Sequence, residues 1–263
     1  MATPTAALGL GAASPAARNF VWLAGDKTIA TLLGVLVFGL IARRYGPEGS
    51  GHYAYALTLM QVALGMSMVC STACILPRVT RMHRGIGGAL ANVFAVRMMG
   101  SLLSMAAVAS YAVAVIGDTK RLIVALMMLA VVPLIEPFFV APLYWQSRNA
   151  NRVPVLNRGA GLSVRAMMVG IAVALDAPLW VPALAWVIEA IVVARLHSMS
   201  LRSLGQWREL AAQVTAWRAS RYFRYGVRFL AGVALSQLFF RIDRLVLAQM
   251  LPAHDFGIYG TAM

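Results

Sequence analysis

The chain has 263 residues; 60% are apolar, only 12% are charged, and the mean hydropathy is +0.75. Soluble domains carry about 25% charged residues, so this chain cannot coat a water-facing surface, and a disordered, collagen-like or ordinary soluble protein is excluded. The net charge of +14 would point to nucleic acid in a soluble protein. In a membrane protein it points to basic cytoplasmic loops, so a lipid bilayer, and no nucleic acid, is the expected partner.

A helix needs about 20 apolar residues to cross a hydrocarbon core about 30 Å thick. Seven segments qualify, at 20–42, 53–76, 88–116, 121–145, 159–176, 179–197 and 227–251. Turn or charge signals bound them: Gly46-Pro47 after the first, Pro77-Arg78 after the second, Gly117-Asp118 after the third. The brief break at Asp176-Ala177-Pro178 predicts a tight hairpin between the fifth and sixth. Residues 1–17 hold no charged side chain, so the basic n-region of a signal peptide is missing. The first span, which contains Asp26 and Lys27, is therefore expected to persist as a helix behind a tail of residues 1–19.

Loop charge sets the expected orientation. Fourteen of the 23 Lys and Arg residues, from Arg18 to Arg228 and including Arg148, Arg152 and Arg158, fall on one side of the seven spans. Four, Arg43, Arg44, Lys120 and Arg121, fall on the other. Lys and Arg favour the cytoplasmic side, which places the N-terminus in the cytoplasm. Between the sixth and seventh spans, residues 198–226 set Trp207, Leu210, Val214 and Trp217 on one helical face, with Arg208, Glu209 and Gln213 away from it. A basic helix with an apolar aromatic stripe suits the membrane interface, as a joint between two bundles or as a regulatory binding site.

The chain also repeats itself. LIARRYGPEGSGHYAYA (Leu40–Ala56) aligns without a gap to VLAQMLPAHDFGIYGTA (Val246–Ala262) at an offset of 206 residues. Ala42 meets Ala248, Gly51 meets Gly257, Tyr53 meets Tyr259 and Ala56 meets Ala262. Both segments close a span and enter the next through Gly-x-Tyr. Six spans separate them, an even number, so the repeat is expected to be parallel, a frequent plan in transporters. The fold expected is all-α: a polytopic membrane helix bundle, with one six-helix lobe (20–197) of a two-lobe transporter, a basic linker (198–226) and the first helix of a second lobe (227–263). The sequence stops where an eighth span should begin, which reads as the N-terminal portion of a longer protein or a truncated product.

Three stretches resemble Wzx-type oligosaccharide flippases, polysaccharide biosynthesis proteins of the multidrug/oligosaccharidyl-lipid/polysaccharide exporter superfamily. They are Asn19–Tyr55 with its RYGPEGSGHYAYA turn, IEPFFVAPLYWQSRNANR at the exit of the fourth span, and RYGVRFLAGVALSQLFFRIDRLVLAQMLPAHDFGIYGTAM. The resemblance covers the layout of the whole chain and specific motifs in about a third of it; family members have more spans than the seven here. It implies two lobes around a cavity that opens alternately to each leaflet of a bacterial inner membrane. It also implies export of an undecaprenyl-pyrophosphate-linked oligosaccharide for O-antigen, capsule or exopolysaccharide, coupling to H⁺ or Na⁺ without a cofactor, and a polysaccharide polymerase and chain-length regulator as partners. No enzymatic activity is expected.

Charges inside the spans become the candidate site. A charge at mid-bilayer costs about 2.5–3.5 kcal/mol on insertion scales, so such residues face protein or a wet cavity. An anionic pyrophosphate-sugar headgroup needs cationic partners, and Arg suits phosphate oxygens through its planar fork. Lys27, Arg97, Arg241 and Arg244 are the candidates for substrate binding; Arg241 and Arg244 share a helical face. Arg165 lies near a span end and reads as snorkelling to the interface. Asp26, Glu136 and Asp243 are the candidates for ion coupling. Glu136 lies between Pro133 and Pro137, in a helix that also holds Pro142, where missing N–H groups free carbonyls. Asp26 has a second reading, as a neutralising partner of Lys27 or of a basic residue on a facing helix. Asp243 points away from Arg241 and needs a partner elsewhere.

Other signals are structural. Cys70 and Cys74 are one turn apart in the second span and read as small buried thiols. His52, His83, His197 and His254 lack zinc spacing, and Gly34 and Gly39 read as sites of close helix packing. Two competing functions remain: a multidrug exporter of the same superfamily, which favours a less basic cavity, and an inactive truncated product. A polymerase or ligase would need a large periplasmic loop, and the outward loops here are short.

Overall fold

A computed structural model describes residues 15–82, 86–202 and 214–262, and these are helical with no strand among them. In chain order the helices are α1 (Pro15–Ser67), α2 (Thr72–Thr80), α3 (Ile86–Val115), α4 (Thr119–Leu129), α5 (Val132–Ile135), a 3-10 turn at Pro137–Phe139, α6 (Val140–Ser147), α7 (Arg152–Ala174), α8 (Trp180–Arg202), α9 (Ala216–Phe239), α10 (Ile242–Met250) and α11 (Ala253–Ala262). Four stretches are long and apolar enough to cross a membrane: Ala17–Ser67, Ile86–Val115, Thr119–Ser147 and Trp180–Arg202. Their outward faces carry Leu32 and Leu103, each at least 65% exposed. A soluble monomer rarely presents apolar surface on that scale, and a lipid-facing bundle does. The expected spans at 159–176 and 227–251 are helical but fall outside this set; α7 carries Arg158 and Arg165, and the other is interrupted at Phe240–Arg241.

The first two expected spans run on as α1, divided by a kink at Gly46, whose φ of 68° lies in the left-handed region. Only glycine takes that backbone freely, and Pro47 beyond it restarts the helix with no N–H to satisfy. The second span is not continuous to residue 76 as expected. It breaks at residues 68–71, and α2 resumes behind Ser71. The fourth span breaks at Ala130–Val131, shortly ahead of Pro133, and again at Glu136, immediately ahead of Pro137, whereas Pro142 sits inside α6 without ending it. Proline clashes with the carbonyl four residues earlier, so the break falls upstream of the ring.

The hairpin between α7 and α8 forms as the turn chemistry predicts. Asp176 takes a φ of 54° and the Ala177 N–H donates to the Ala172 carbonyl at 2.9 Å, the six-to-one bond of a Schellman ending. The interfacial stripe fares differently. Trp207 and Leu210 lie outside the described residues, and Val214 is exposed and non-helical just ahead of α9.

Connections collect at two ends. At one, Arg44 Nε stands 2.6 Å from Asp176 Oδ1, the Tyr45 hydroxyl donates to the Ala177 carbonyl at 2.8 Å, and Arg121 Nη2 donates to the Ala248 carbonyl at 3.1 Å. At the other, the Asn151 N–H donates to Asn19 Oδ1 at 3.1 Å and the Thr215 N–H to Asn92 Oδ1 at 3.3 Å. One buried core centres on α1 on both sides of its kink, with Ile41, Tyr53, Leu59 and Met60 against Ala112, Met128, Val169 and Ala185. A smaller core, with Val69, Cys70, Leu90, Val93 and Leu143, surrounds the break at residues 68–71.

The repeated segments pack on each other. A Cβ added to Gly51 would collide with the Ala253 carbonyl and stand 3.1 Å from the Gly257 nitrogen; one added to Gly257 would collide with the Pro47 carbonyl; one added to Gly260 would stand 3.3 Å from the Ala54 Cβ. At the offset of 206, Pro47 corresponds to Ala253, Gly51 to Gly257 and Ala54 to Gly260. Each contact therefore maps onto itself or onto another in the set, which is a local two-fold relation between the copies. Small residues let the backbones touch. Gly34 and Gly39, expected to do this work, face open space instead.

Candidate functional site

Below this crossing the helices part around a cavity of about 850 Å³, inside the usual range of roughly 300–1,000 Å³ for ligand pockets. Gly34 and Phe38 of the first half of α1, Leu57 and Leu64 of the second half, Phe139 and Pro142 near α6, Leu162 of α7, Trp186 of α8 and Phe256 of α11 give it apolar lining. Asp26, Lys27, Glu136, Arg158, Arg165, Glu189, His197 and Arg244 bring the polar groups. Gly34 and Gly39 thus widen the cavity, having no side chain to fill it.

The acidic residues of the cavity wall are each held by an arginine. Asp26 on α1 accepts from Arg158 Nη1 on α7 at 2.8 Å, the facing-helix partner that was one reading of Asp26. Arg158 had been counted as a loop charge, but α7 begins at Arg152 and carries it into the wall. Glu189 on α8 stands 2.7 Å from Arg165 Nη1. Arg165 does not snorkel; it is 4% exposed, and its guanidinium lies 3.8 Å from the centre of the Trp186 ring. Gly161, one turn before Arg165, lets α8 close in: a Cβ there would meet the Val193 side chain and stand 3.2 Å from Glu189 Cγ. Trp186 Nε1 in turn donates to the Tyr53 hydroxyl at 2.6 Å.

Glu136 is 2% exposed and pairs at 3.7 Å with Arg97 Nη1. Arg97 itself does not line the cavity. It is 1% exposed behind the wall, and its Nε and Nη2 donate to the Cys70 carbonyl at 3.1 and 2.6 Å. The carbonyl belongs to the break at residues 68–71, which leaves helix-end acceptors without intrahelical donors. Gly100 and Gly226 close on the same turn, with a Cβ on the first 3.1 Å from the Ser67 carbonyl and one on the second colliding with the Val69 carbonyl. Cys70 Sγ donates weakly to the Tyr222 carbonyl at 3.5 Å.

The remaining candidates divide. Lys27 is on the cavity wall, exposed, with no acidic partner among the described residues. Arg244 lines the cavity, but Arg241 is outside the wall and donates to Gln61 Oε1, which lines it. Asp243 is also outside and exposed; its partner is the Tyr259 hydroxyl, which donates at 3.1 Å from the next helix. The structure thus gathers Asp26, Lys27, Glu136 and Arg244 at one cavity, and leaves Arg97, Arg241 and Asp243 off it. Arg158, Arg165 and Glu189 join it, though none of them is among the candidates for binding or coupling. The seven-residue spacing of Arg158 and Arg165, two turns on one face of α7, was the available signal.

No family model, no curated protein and no solved structure matches this chain.

Proposed function

We propose that this chain forms the first lobe, six spans from residue 20 to 197, and the opening helices of the second lobe of a flippase. Its substrate is an undecaprenyl-pyrophosphate-linked oligosaccharide, moved from the cytoplasmic to the periplasmic leaflet of a bacterial inner membrane for O-antigen, capsule or exopolysaccharide synthesis. The observation that carries this reading is the cavity itself: largely apolar, with Lys27 and Arg244 in its lining, and bounded at one end by the crossing of the two repeated segments. An amphiphilic anion needs both surfaces. The excess of basic residues on the side of the N-terminus supports a cytoplasmic position for that end. The polymerase and chain-length regulator that would receive the product act on the far side.

The paired acids also bear on the competing reading. A cationic drug would look for a free carboxylate, yet Asp26, Glu136 and Glu189 are each engaged by arginine. A proton or Na⁺ reaching Asp26 or Glu136 must displace that arginine, so coupling through them is an exchange; Asp243 stands outside the cavity. In a deletion strain, lipid-linked oligosaccharide should accumulate in the cytoplasmic leaflet. The wild-type gene should restore export, and a Lys27→Ala/Arg244→Ala variant at equal membrane abundance should not. Normal export in the deletion strain would refute the proposal.

A further inference from the structure

The pair Arg165–Glu189 is a poor place for either part of an ion. A phosphate drawn to Arg165 would meet the Glu189 carboxylate, and a cation drawn to Glu189 would meet the guanidinium 2.7 Å away. The pair is neutral as a unit and still has hydrogen-bonding capacity. Arg165 is 4% exposed, and its buried Nε–H has no hydrogen-bond partner among the described residues. Glu189, 6% exposed, makes one close ion pair and keeps further lone pairs. An unmade donor at this depth is costly, and both residues line the 850 Å³ cavity.

A hydroxyl is the group that answers both, since it accepts and donates at once. Trp186 stacks on the guanidinium at 3.8 Å and is itself held by Tyr53, so the Arg165 plane is fixed before any ligand arrives. Pre-set donors discriminate more sharply than mobile ones. We infer that Arg165 and Glu189 form a hydroxyl-recognising subsite of the cavity, which reads the neutral, polyhydroxylated ring of the cargo, apart from the cationic residues Lys27 and Arg244 that face its anionic part. This rests on the flippase reading and adds to it a place where the sugar, as distinct from the lipid pyrophosphate, is sensed.

The test uses the full chain in detergent and two probes, undecaprenyl pyrophosphate bearing N-acetylglucosamine and undecaprenyl pyrophosphate alone, with affinities measured by microscale thermophoresis. The wild type should bind the sugar-bearing probe about tenfold more tightly, the worth of one or two hydrogen bonds. Arg165→Met/Glu189→Gln removes both charges together, and Arg165→Lys keeps the charge while deleting the Nε–H; in each the ratio between probes should fall to about one. Equal wild-type affinity for the two probes, or variants that keep the preference, would overturn the subsite and leave the flippase reading standing. So would a folded variant that weakens both probes by the same factor. Failure of the wild type to bind either probe would overturn the flippase reading, and the subsite with it.

Discussion

Arg97–Glu136 and Arg165–Glu189 are built from the same two side chains and are buried to nearly the same depth, yet they are spent differently. Arg97 gives two donors to the Cys70 carbonyl and reaches Glu136 only at 3.7 Å. Arg165 takes Glu189 at 2.7 Å, lies on Trp186 and keeps an Nε–H with no hydrogen-bond partner among the described residues. The first pair ties the helix breaks of the second and fourth spans to α3. The second keeps capacity for something that is not protein. Charge inside an apolar bundle therefore marks neither site by itself; what remains unsatisfied after packing separates them.

The sharpest way to break this contrast is Arg97→Ala. It strands Glu136 as a buried, unpaired carboxyl and frees the Cys70 carbonyl, for a loss of about 3–5 kcal/mol. Thermal unfolding in detergent should fall markedly and membrane abundance with it. Arg97→Met/Glu136→Gln should recover part of the loss, leaving about 1–3 kcal/mol for the unmade carbonyl bond. An Arg97→Ala protein of wild-type stability would show that the helix break does not depend on this residue.

A smaller effect is expected where no charge is involved. Gly257→Val places a side chain against the Pro47 carbonyl, and such overpacking costs about 1–3 kcal/mol. Gly51→Val should do the same from the other copy. Gly34→Val, facing open cavity, should leave stability unchanged within about 0.5 kcal/mol. Equal melting temperatures for Gly34→Val and Gly257→Val would rule out the backbone crossing. A direct check is an oxidant-induced cross-link in Ala54→Cys/Gly260→Cys, whose β-carbons would lie near the separation a disulfide needs.

How much of this was legible beforehand depends on the kind of signal. Turn residues located the ends well: Gly46-Pro47 bends the chain, and Asp176-Ala177-Pro178 turns it, because backbone preference is local. The repeat was legible as an alignment, and its glycines proved to be the contact, but Gly34 and Gly39 in the same chain looked alike and face empty space. A glycine's neighbour is a tertiary fact. The charged residues divided for the same reason. Asp26 and Glu136 sit on the cavity, yet Arg97 and Arg241 lie outside it, because a helix offset of one residue swings a side chain by about 100°. The break at residues 68–71 carried no proline or charge to announce it; it is held by Arg97, Gly100 and Gly226 from other helices.

The smallest effect should come from Asp26 and Arg158. Their separation of 2.8 Å is nearly as short as that of Arg165 and Glu189, but the Arg158 side chain is 38% exposed. Water in the cavity reaches the guanidinium and screens the pair, so its worth should resemble that of an exposed ion pair, about 0.2–1 kcal/mol. A double-mutant cycle over Asp26→Asn and Arg158→Gln measures this directly, and raising the ionic strength should shrink the coupling. The buried pair Arg165–Glu189, in the same cycle, should keep its coupling in high salt. If Asp26 and Arg158 instead prove as strongly coupled and as salt-resistant, the cavity is drier than its lining suggests, and Asp26 is a fixed strut between α1 and α7. The smaller value leaves Asp26 free to let Arg158 go, as the proposed exchange with a proton or Na⁺ requires.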